Sequence, residues 1–109
     1  MGWMDDETGL DKTAANFVPL TPLSHLVRAR TVFRDREALV DGPRRWTYAE
    51  YHADCSRLAG ALAALGVTPG QVVATVLPNI AAQAIASFGV PACGAVLNAI
   101  NTRVEADTI

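Results

Sequence analysis

A stretch of 45 consecutive residues, 58–102, contains no Asp, Glu, Lys or Arg, and it constrains the fold more than any other feature of the chain. Eight of the nine basic residues and nine of the eleven acidic residues lie within 1–57. A self-contained domain of 109 residues has a large surface to cover and usually spreads charge along its helices. The uncharged stretch therefore indicates either a membrane segment or the interior of a larger protein.

The uncharged stretch lacks the pattern of a membrane-spanning segment. A spanning helix needs about 20 predominantly apolar residues. Residues that favour turns interrupt the stretch at 66–70, 78–79 and 89–91, and the apolar pieces between them are much shorter than that. The N-terminus is acidic, whereas a secretory signal begins with basic residues. We predict no integral membrane segment and a cytoplasmic location, where Cys55 and Cys93 stay reduced.

The composition argues against several further classes of protein. Half of the residues are apolar and 18% are charged, which is too hydrophobic a balance for intrinsic disorder. The formal net charge is −2 and there is no basic stripe, so no nucleic-acid partner is expected. His25 and His52 have no His or Cys at ligand spacing, so we predict no metal site.

The N-terminal part of the chain contains signals for a helix and a hairpin. Residues 1–16 are predicted to form a flexible acidic leader. Thr21 followed by Pro22 predicts the start of a helix, because Thr caps a helix and Pro is tolerated in its first turn. Residues 37–41 and 44–47 are short strand candidates on either side of a Gly-Pro turn, so we expect a β-hairpin.

The strongest local signal is a capping box that opens a second helix. The Thr47 hydroxyl can accept a hydrogen bond from the N–H of Glu50, while the Glu50 side chain reaches back to the N–H of Thr47. We predict that this helix ends before Gly66, which suits the left-handed position after a helix. Its apolar stripe is expected to comprise Tyr51, Cys55, Leu58, Leu62 and Leu65.

The uncharged stretch itself predicts a strand–helix–strand unit. Residues 71–77 are apolar and rich in β-branched side chains without alternation, which is typical of a strand buried on both faces. Asn79 is positioned to cap a helix over 80–88, which the Gly-Val-Pro segment at 89–91 would end or kink. Residues 95–98 form the second strand candidate.

These elements predict an α/β fold, with a β-hairpin plus a βαβ unit of a mainly parallel sheet flanked by helices. The second strand has no successor to cover its edge, and isolated proteins avoid apolar, unpaired edges. Residues 17–109 are therefore expected to be an incomplete piece of a large N-terminal α/β domain. We also expect this chain on its own to self-associate or to exchange segments with a second copy.

No catalytic constellation is recognisable, so we assign no catalytic, cofactor-binding or metal residue. The carboxylates of Glu50 and Asp54 are one helical turn apart, but Glu50 is expected to cap its helix and Asp54 to pair with Arg57. Beyond Arg57, the main group of polar side chains follows the second predicted strand. Ligands of open α/β sheets bind at the carboxyl ends of the strands. We take Asn101, Thr102 and Arg103 as candidates for lining a substrate channel; the alternative is that they anchor a buried loop.

Several short segments, taken in order, resemble AMP-forming acyl-CoA synthetases, the fatty-acid–CoA ligases of the adenylate-forming superfamily. The resemblance covers residues 17–109. Its last segment is more similar to medium- and long-chain fatty acyl-CoA ligases than to peptide-synthetase adenylation domains. The segments are Phe17-Val18-Pro19-Leu20-Thr21-Pro22-Leu23, Arg45-Trp46-Thr47-Tyr48-Ala49-Glu50, Arg57-Leu58-Ala59, Ala63-Ala64-Leu65-Gly66-Val67, Gly70-Gln71-Val72-Val73-Ala74, Leu77-Pro78-Asn79, Gly94-Ala95-Val96 and Leu97-Asn98-Ala99-Ile100-Asn101-Thr102-Arg103.

The resemblance implies an enzyme that joins a fatty or other carboxylic acid to CoA through an acyl-adenylate, using ATP and Mg²⁺. The family's phosphate loop, nucleotide motifs and C-terminal catalytic lysine have no counterpart here, and Lys12 is the only lysine. We therefore expect the N-terminal portion of such a ligase, which alone is inactive and binds no ATP, Mg²⁺ or CoA. The alternative is a stand-alone, non-catalytic interaction module that associates through its exposed sheet edge.

Overall fold

The computed structural model describes residues 8, 9 and 11–109. Half of the predicted leader over 1–16 lies outside these residues, so its flexibility stays a prediction. Within 11–16, the N–H and hydroxyl of Thr13 both donate to Oδ1 of Asn16, which closes a short turn. Among the described residues, no helix is both long enough and apolar enough to cross a bilayer.

The first helix and the hairpin form where the sequence predicts them. Helix α1, Pro22–Val32, is capped by Thr21, whose side chain accepts a hydrogen bond from the N–H of Ser24. Strands β1, Glu37–Asp41, and β2, Arg44–Thr47, pair antiparallel with an irregularity near the start of β1. Gly42 has a φ of 57°, a conformation that a two-residue hairpin turn requires at its first central position.

Helix α2, Tyr48–Ala64, begins with the predicted capping box. The Thr47 side chain accepts from the N–H of Glu50, and the Glu50 side chain accepts from the N–H of Thr47. Of the predicted apolar stripe, Tyr51 and Cys55 are buried, whereas Leu65 is 82% exposed. The prediction that Leu65 belongs to the buried stripe is wrong, because this residue is the C-cap and lies one position beyond the last residue of the helix.

The uncharged stretch forms the predicted βαβ unit, with shifted boundaries. Strand β3, Val72–Thr75, pairs in parallel with β4, Val96–Ala99, and helix α3, Ala81–Ala92, connects them. The predicted helix end at residue 88 is wrong. The helix runs on with Pro91 in its last turn, held by tight packing of Val90, which is only 1% exposed.

The start of α3 also differs from the prediction. Asn79 does not cap the helix; the N-cap is Ile80, which makes no side-chain capping bond. The N–H of Ala81 instead donates to Oδ2 of Asp41, at the end of β1, over 2.9 Å. The hairpin therefore supplies the cap that the local sequence lacks.

Two apolar clusters hold these elements together. One joins α1, the hairpin, α2 and the start of α3, and its buried members are Leu26, Trp46, Tyr51, Cys55 and Ala81. The other packs the rest of α3 against the parallel strands, with Ala86, Val90 and Ala95 buried. The core thus lies on one side of the β3–β4 pair.

The opposite face of the β3–β4 pair is open. The sequence predicts a strand buried on both faces, yet Val72 is 63% exposed and its register partner Val96 is 53% exposed. The expectation fails within this chain because helices cover only one face of the two strands. After β4 the chain forms a loop and a 3₁₀ turn, Ala106–Thr108.

Candidate functional site

A concavity with polar lining residues lies at the carboxyl ends of β3 and β4, and we call it the sheet-end groove. It has a volume of about 530 Å³. The loop after β3, the first turn of α3 and the segment after β4 form its sides. Its lining residues are Leu77, Pro78, Asn79, Gln83, Ala99, Ile100, Asn101 and Thr102.

Hydrogen bonds link the sides of this groove to one another. The N–H of Ile100 donates to the carbonyl oxygen of Thr75 over 2.8 Å, which extends the pairing of the strands by one residue. The Thr75 hydroxyl donates to Oε1 of Gln83 over 2.8 Å and so ties β3 to α3. Oδ1 of Asn101 accepts from the N–H of Arg103 over 3.0 Å, which shapes the loop after β4.

The chemistry of the sheet-end groove suits binding rather than catalysis. Its polar side chains are two asparagines, a glutamine and a threonine, and none of its lining residues is ionisable. General acid–base catalysis needs a group whose protonation changes near neutral pH. Amides and hydroxyls can orient a ligand, but here they have no neighbouring base that would activate a nucleophile.

The structure separates the three residues predicted to line a channel. Asn101 and Thr102 line the sheet-end groove, whereas Arg103 does not line it and is exposed. The alternative, a buried loop anchor, does not describe these residues in this chain, since all three are exposed.

Two residues of this region were missed in the sequence. Gln83 lies four positions after Asn79, about one turn into the helix that the sequence predicts from residue 80, and this spacing is a signal that could have identified it. Asp41 offers no such signal, because the N–H that it caps is 40 residues further along the chain. Only folding brings the Asp41 carboxylate close to the N–H of Ala81.

A second concavity of about 350 Å³, which we call the hairpin cleft, lies between β1 and α3. It shares Asn79 and Gln83 with the sheet-end groove, so the first turn of α3 separates the two. The remaining lining residues are Leu39, Val40, Asp41, Ile80, Ala81, Ala84 and Ser87.

The charged side chains near the hairpin serve structural roles, as the sequence predicts. Asp54 forms an ion pair with Arg57 and also accepts a hydrogen bond from Nε1 of Trp46 over 2.9 Å. Trp46 is buried, and the guanidinium of Arg44 stacks over its ring at 4.5 Å. Glu50 is held in the capping box of α2. The paired carboxylates of this helix are therefore committed to local contacts.

The groups with shifted pKa values are in or near the core. Burial raises the pKa of the Cys55 thiol to about 11, and the charge of Asp54 adds to this effect. Burial raises the pKa of Tyr51 to about 12, and its hydroxyl donates to the carbonyl oxygen of Ala84. Burial lowers the pKa of His52, with a further contribution from Arg30. A protonated, buried thiol is a poor nucleophile, so Cys55 has a packing role.

A family model described as AMP-binding enzyme matches residues 26–109. Among curated proteins, the peroxisomal acetate/butyrate–CoA ligase of Arabidopsis thaliana is 45% identical over 107 residues, which cover 98% of this chain and 19% of the ligase. The peroxisomal trans-cinnamate:CoA ligase of Petunia hybrida is 41% identical over 96 residues, which cover 88% of this chain and 17% of that enzyme.

Solved structures show the same relationship. The N-terminal domain of the Mycobacterium tuberculosis protein FACL13, in an inhibitor-bound crystal structure, matches with a TM-score of 0.75 and 34% identity over 79% of this chain and 22% of that one. The N-terminal subdomain of Klebsiella oxytoca NpsA, bound to 3-hydroxyanthranilyl-AMSN, matches with a TM-score of 0.75 and 26% identity over the same shares. The chain spans 19% or less of the length of these two curated relatives.

Proposed function

This chain belongs to the AMP-binding enzyme family, and we propose that it is the N-terminal portion of an AMP-forming acyl-CoA ligase. The observation that carries the proposal is the 45% identity to a CoA ligase along 98% of the chain. In the proposed reaction a carboxylate attacks the α-phosphate of ATP, which gives an acyl-adenylate and pyrophosphate. The thiol of CoA then displaces AMP to form the acyl-CoA.

The residues that the structure describes do not fit a site for Mg²⁺ or for the phosphates of ATP. The described residues contain no cluster of three or more His, Cys, Asp or Glu side chains that could hold a metal ion. The uncharged stretch provides no Lys or Arg to pair with phosphate. We propose that the rest of the enzyme binds ATP, Mg²⁺ and CoA, while this segment contributes the sheet-end groove.

We propose that Asn101 and Thr102 line the path of the carboxylic acid substrate and that Arg103 lies outside it. The support is their position at the carboxyl ends of parallel strands, in a groove whose neutral polar lining can orient a ligand. The sequence suggests a fatty acid, and the relatives named above act on acetate, butyrate or trans-cinnamate. We propose that the substrate is a monocarboxylic acid.

We also propose that the enzyme is cytoplasmic, as the sequence analysis expects. Both named plant relatives are described as peroxisomal, so fractionation of the native protein against peroxisomal and cytosolic markers tests this location.

A second candidate function is a non-catalytic module that associates through the β3–β4 pair. The open face of these strands, with Val72 and Val96 exposed, favours it. If the chain is a portion of a ligase, the complete gene product should have ligase activity. If it is a self-associating module, the complete gene product should have none.

The deciding experiment expresses the complete reading frame that encodes this chain. The purified product is assayed for acid-dependent exchange of pyrophosphate into ATP and for formation of CoA thioesters, with acetate, butyrate, octanoate, palmitate and trans-cinnamate as acids. We expect both activities with at least one acid. A reading frame that stops after Ile109, or a full-length product without either activity, would contradict the ligase proposal.

The matched control is the 109-residue chain alone. Titration of this chain with Mg-ATP in a calorimeter should give no binding heat at micromolar strength. Binding at that strength would contradict the proposal that the phosphate site lies elsewhere in the enzyme.

A further inference from the structure

The first turn of α3 is held in place from two sides by side chains of other elements. On one side, Oδ2 of Asp41 in the hairpin accepts the N–H of Ala81 over 2.9 Å. On the other side, the hydroxyl of Thr75 in β3 donates to Oε1 of Gln83 over 2.8 Å. The helix has no side-chain cap of its own, because Ile80 occupies the N-cap position.

This turn is the part of the structure that the two concavities share. Asn79 and Gln83 line both the hairpin cleft and the sheet-end groove. A shift of the turn toward or away from the hairpin therefore changes the width of the groove. The end of the groove that carries Asn101 is linked to the same turn through Thr75, whose carbonyl oxygen accepts from the N–H of Ile100 and whose hydroxyl donates to Gln83.

The carboxylate of Asp41 is well suited to hold the turn. A carboxylate that accepts the first N–H groups of a helix also interacts favourably with the positive end of the helix dipole. Because Asp41 ends β1 beside Gly42, its position is fixed by the hairpin, which packs into the same apolar cluster as Ala81. The contact is thus a link between two rigid elements.

We infer that Asp41 is a positioning residue, which sets the geometry of the sheet-end groove through the first turn of α3 and does not touch the substrate. The expected effect of Asp41 on substrate binding rests on the proposed function. Its expected effect on the geometry of the groove does not. The hairpin is remote in sequence from the ends of the parallel strands. The inference assigns it a role in shaping the proposed acid-binding path.

The test compares three variants of the full-length enzyme. Asp41→Ala removes the acceptor, and Asp41→Asn keeps an acceptor oxygen without the charge. Thr47→Ala removes a helix cap of the same kind from α2, away from the groove, and so controls for a general loss of stability. Kinetics are measured with the acid that wild type uses best.

We expect Asp41→Ala to raise KM for the acid about fivefold, the factor that corresponds to the loss of one helix cap, with kcat within about twofold of wild type. Asp41→Asn and Thr47→Ala should keep the wild-type KM. The inference is overturned by an unchanged KM in Asp41→Ala, by an equal rise in Thr47→Ala, or by an equal rise in Asp41→Asn.

Amide hydrogen exchange separates failure of this inference from failure of the proposed function. In Asp41→Ala, exchange should accelerate at residues 81–84 and at Ile100, while Thr47→Ala should accelerate it at Glu50 only. If no acid is a substrate of wild type, the ligase proposal fails and exchange alone decides the role of Asp41. Unchanged exchange at Ile100 in Asp41→Ala would then show that the cap does not reach the groove.

Discussion

Trp46 shows how a single side chain connects the hairpin to α2. The residue is 6% exposed, and its indole N–H donates to Oδ2 of Asp54, which also pairs with Arg57. A partly buried carboxylate that loses a hydrogen-bond donor is destabilised more than an exposed one. Trp46 therefore buries an apolar ring and also donates a hydrogen bond to the charged carboxylate of Asp54.

Replacement of Trp46 with Phe should lower the free energy of unfolding by about 2 kcal/mol. The variant loses the hydrogen bond to a charged acceptor and part of the buried ring. Urea denaturation of the two proteins measures the difference. Asp54→Asn, which keeps an acceptor for the indole but loses the ion pair with Arg57, should cost less than about 1 kcal/mol. A Trp46→Phe variant as stable as wild type would contradict the importance of this bond.

Cys55 gives the protein a dependence on alkaline pH. The folded state raises the thiol pKa from 9.0 to about 11, so the unfolded chain releases the proton first as the pH rises. Stability should be unaffected by this group below pH 9 and should fall as the pH rises from 9 toward 11. Urea midpoints at pH 7, 9 and 10.5 measure the decline. In Cys55→Ala the decline should be smaller, and an equal decline would assign it to other groups, with Tyr51 as the first candidate.

At the scale of elements, the contact between α2 and α3 depends on a glycine. A Cβ at Gly89 would lie 2.8 Å from Cδ2 of Leu58 and 3.0 Å from the carbonyl oxygen of Cys55. The second of these atoms belongs to the backbone of α2 and cannot rotate away. The two helices therefore approach as closely as they do because position 89 has no side chain.

Replacement of Gly89 with Ala should destabilise the fold by about 1 to 3 kcal/mol, because the helices must separate or distort. Gly60→Ala is the matched control: Gly60 also lies within a helix, but a Cβ there meets nothing within 4 Å. Alanine should stabilise that position by about 0.5 to 1 kcal/mol through its higher helix propensity. Thermal unfolding measures the change in stability of each variant. Changes of the same sign in the two variants would contradict the predicted close contact.

At the scale of the whole molecule, the chain exposes more surface than a compact monomer of its mass. Its accessible surface is 8148 Å², whereas about 5,800 Å² is typical at 11.5 kDa. Part of this surface is the open face of β3 and β4. No charged side chain protects these strands, since they lie within the uncharged stretch.

We predict that the 109-residue chain on its own self-associates through the β3–β4 pair. Light scattering coupled to size exclusion should show a mass above 11.5 kDa at micromolar concentration. Val96→Lys places a charge on the open face and should shift the chain toward the monomer. Leu65→Lys, at a still more exposed position at the end of α2 and away from the open face, should leave association unchanged. A monomeric wild type, or equal effects of the two lysines, would contradict the prediction.

The sequence alone determined the elements that depend on local chemistry. The cap at Thr21 and the capping box of Thr47 and Glu50 follow from side chains that bond to nearby backbone, and the hairpin turn follows from the tolerance of Gly42 for a positive φ. The βαβ unit also followed from pattern, because a buried strand and its crossover helix differ in length and composition. The position of Asn101 at a sheet end followed from that topology.

The tertiary structure decided what depends on contacts between distant residues. The cap on α3 comes from Asp41, 40 positions earlier, and α3 extends past Gly89 because packing outweighs the local helix-breaking signal. The two-sided burial expected for β3 fails because it requires a layer that this chain does not place there. Local side-chain chemistry acts over three or four residues, whereas burial and long-range capping depend on which elements meet in space.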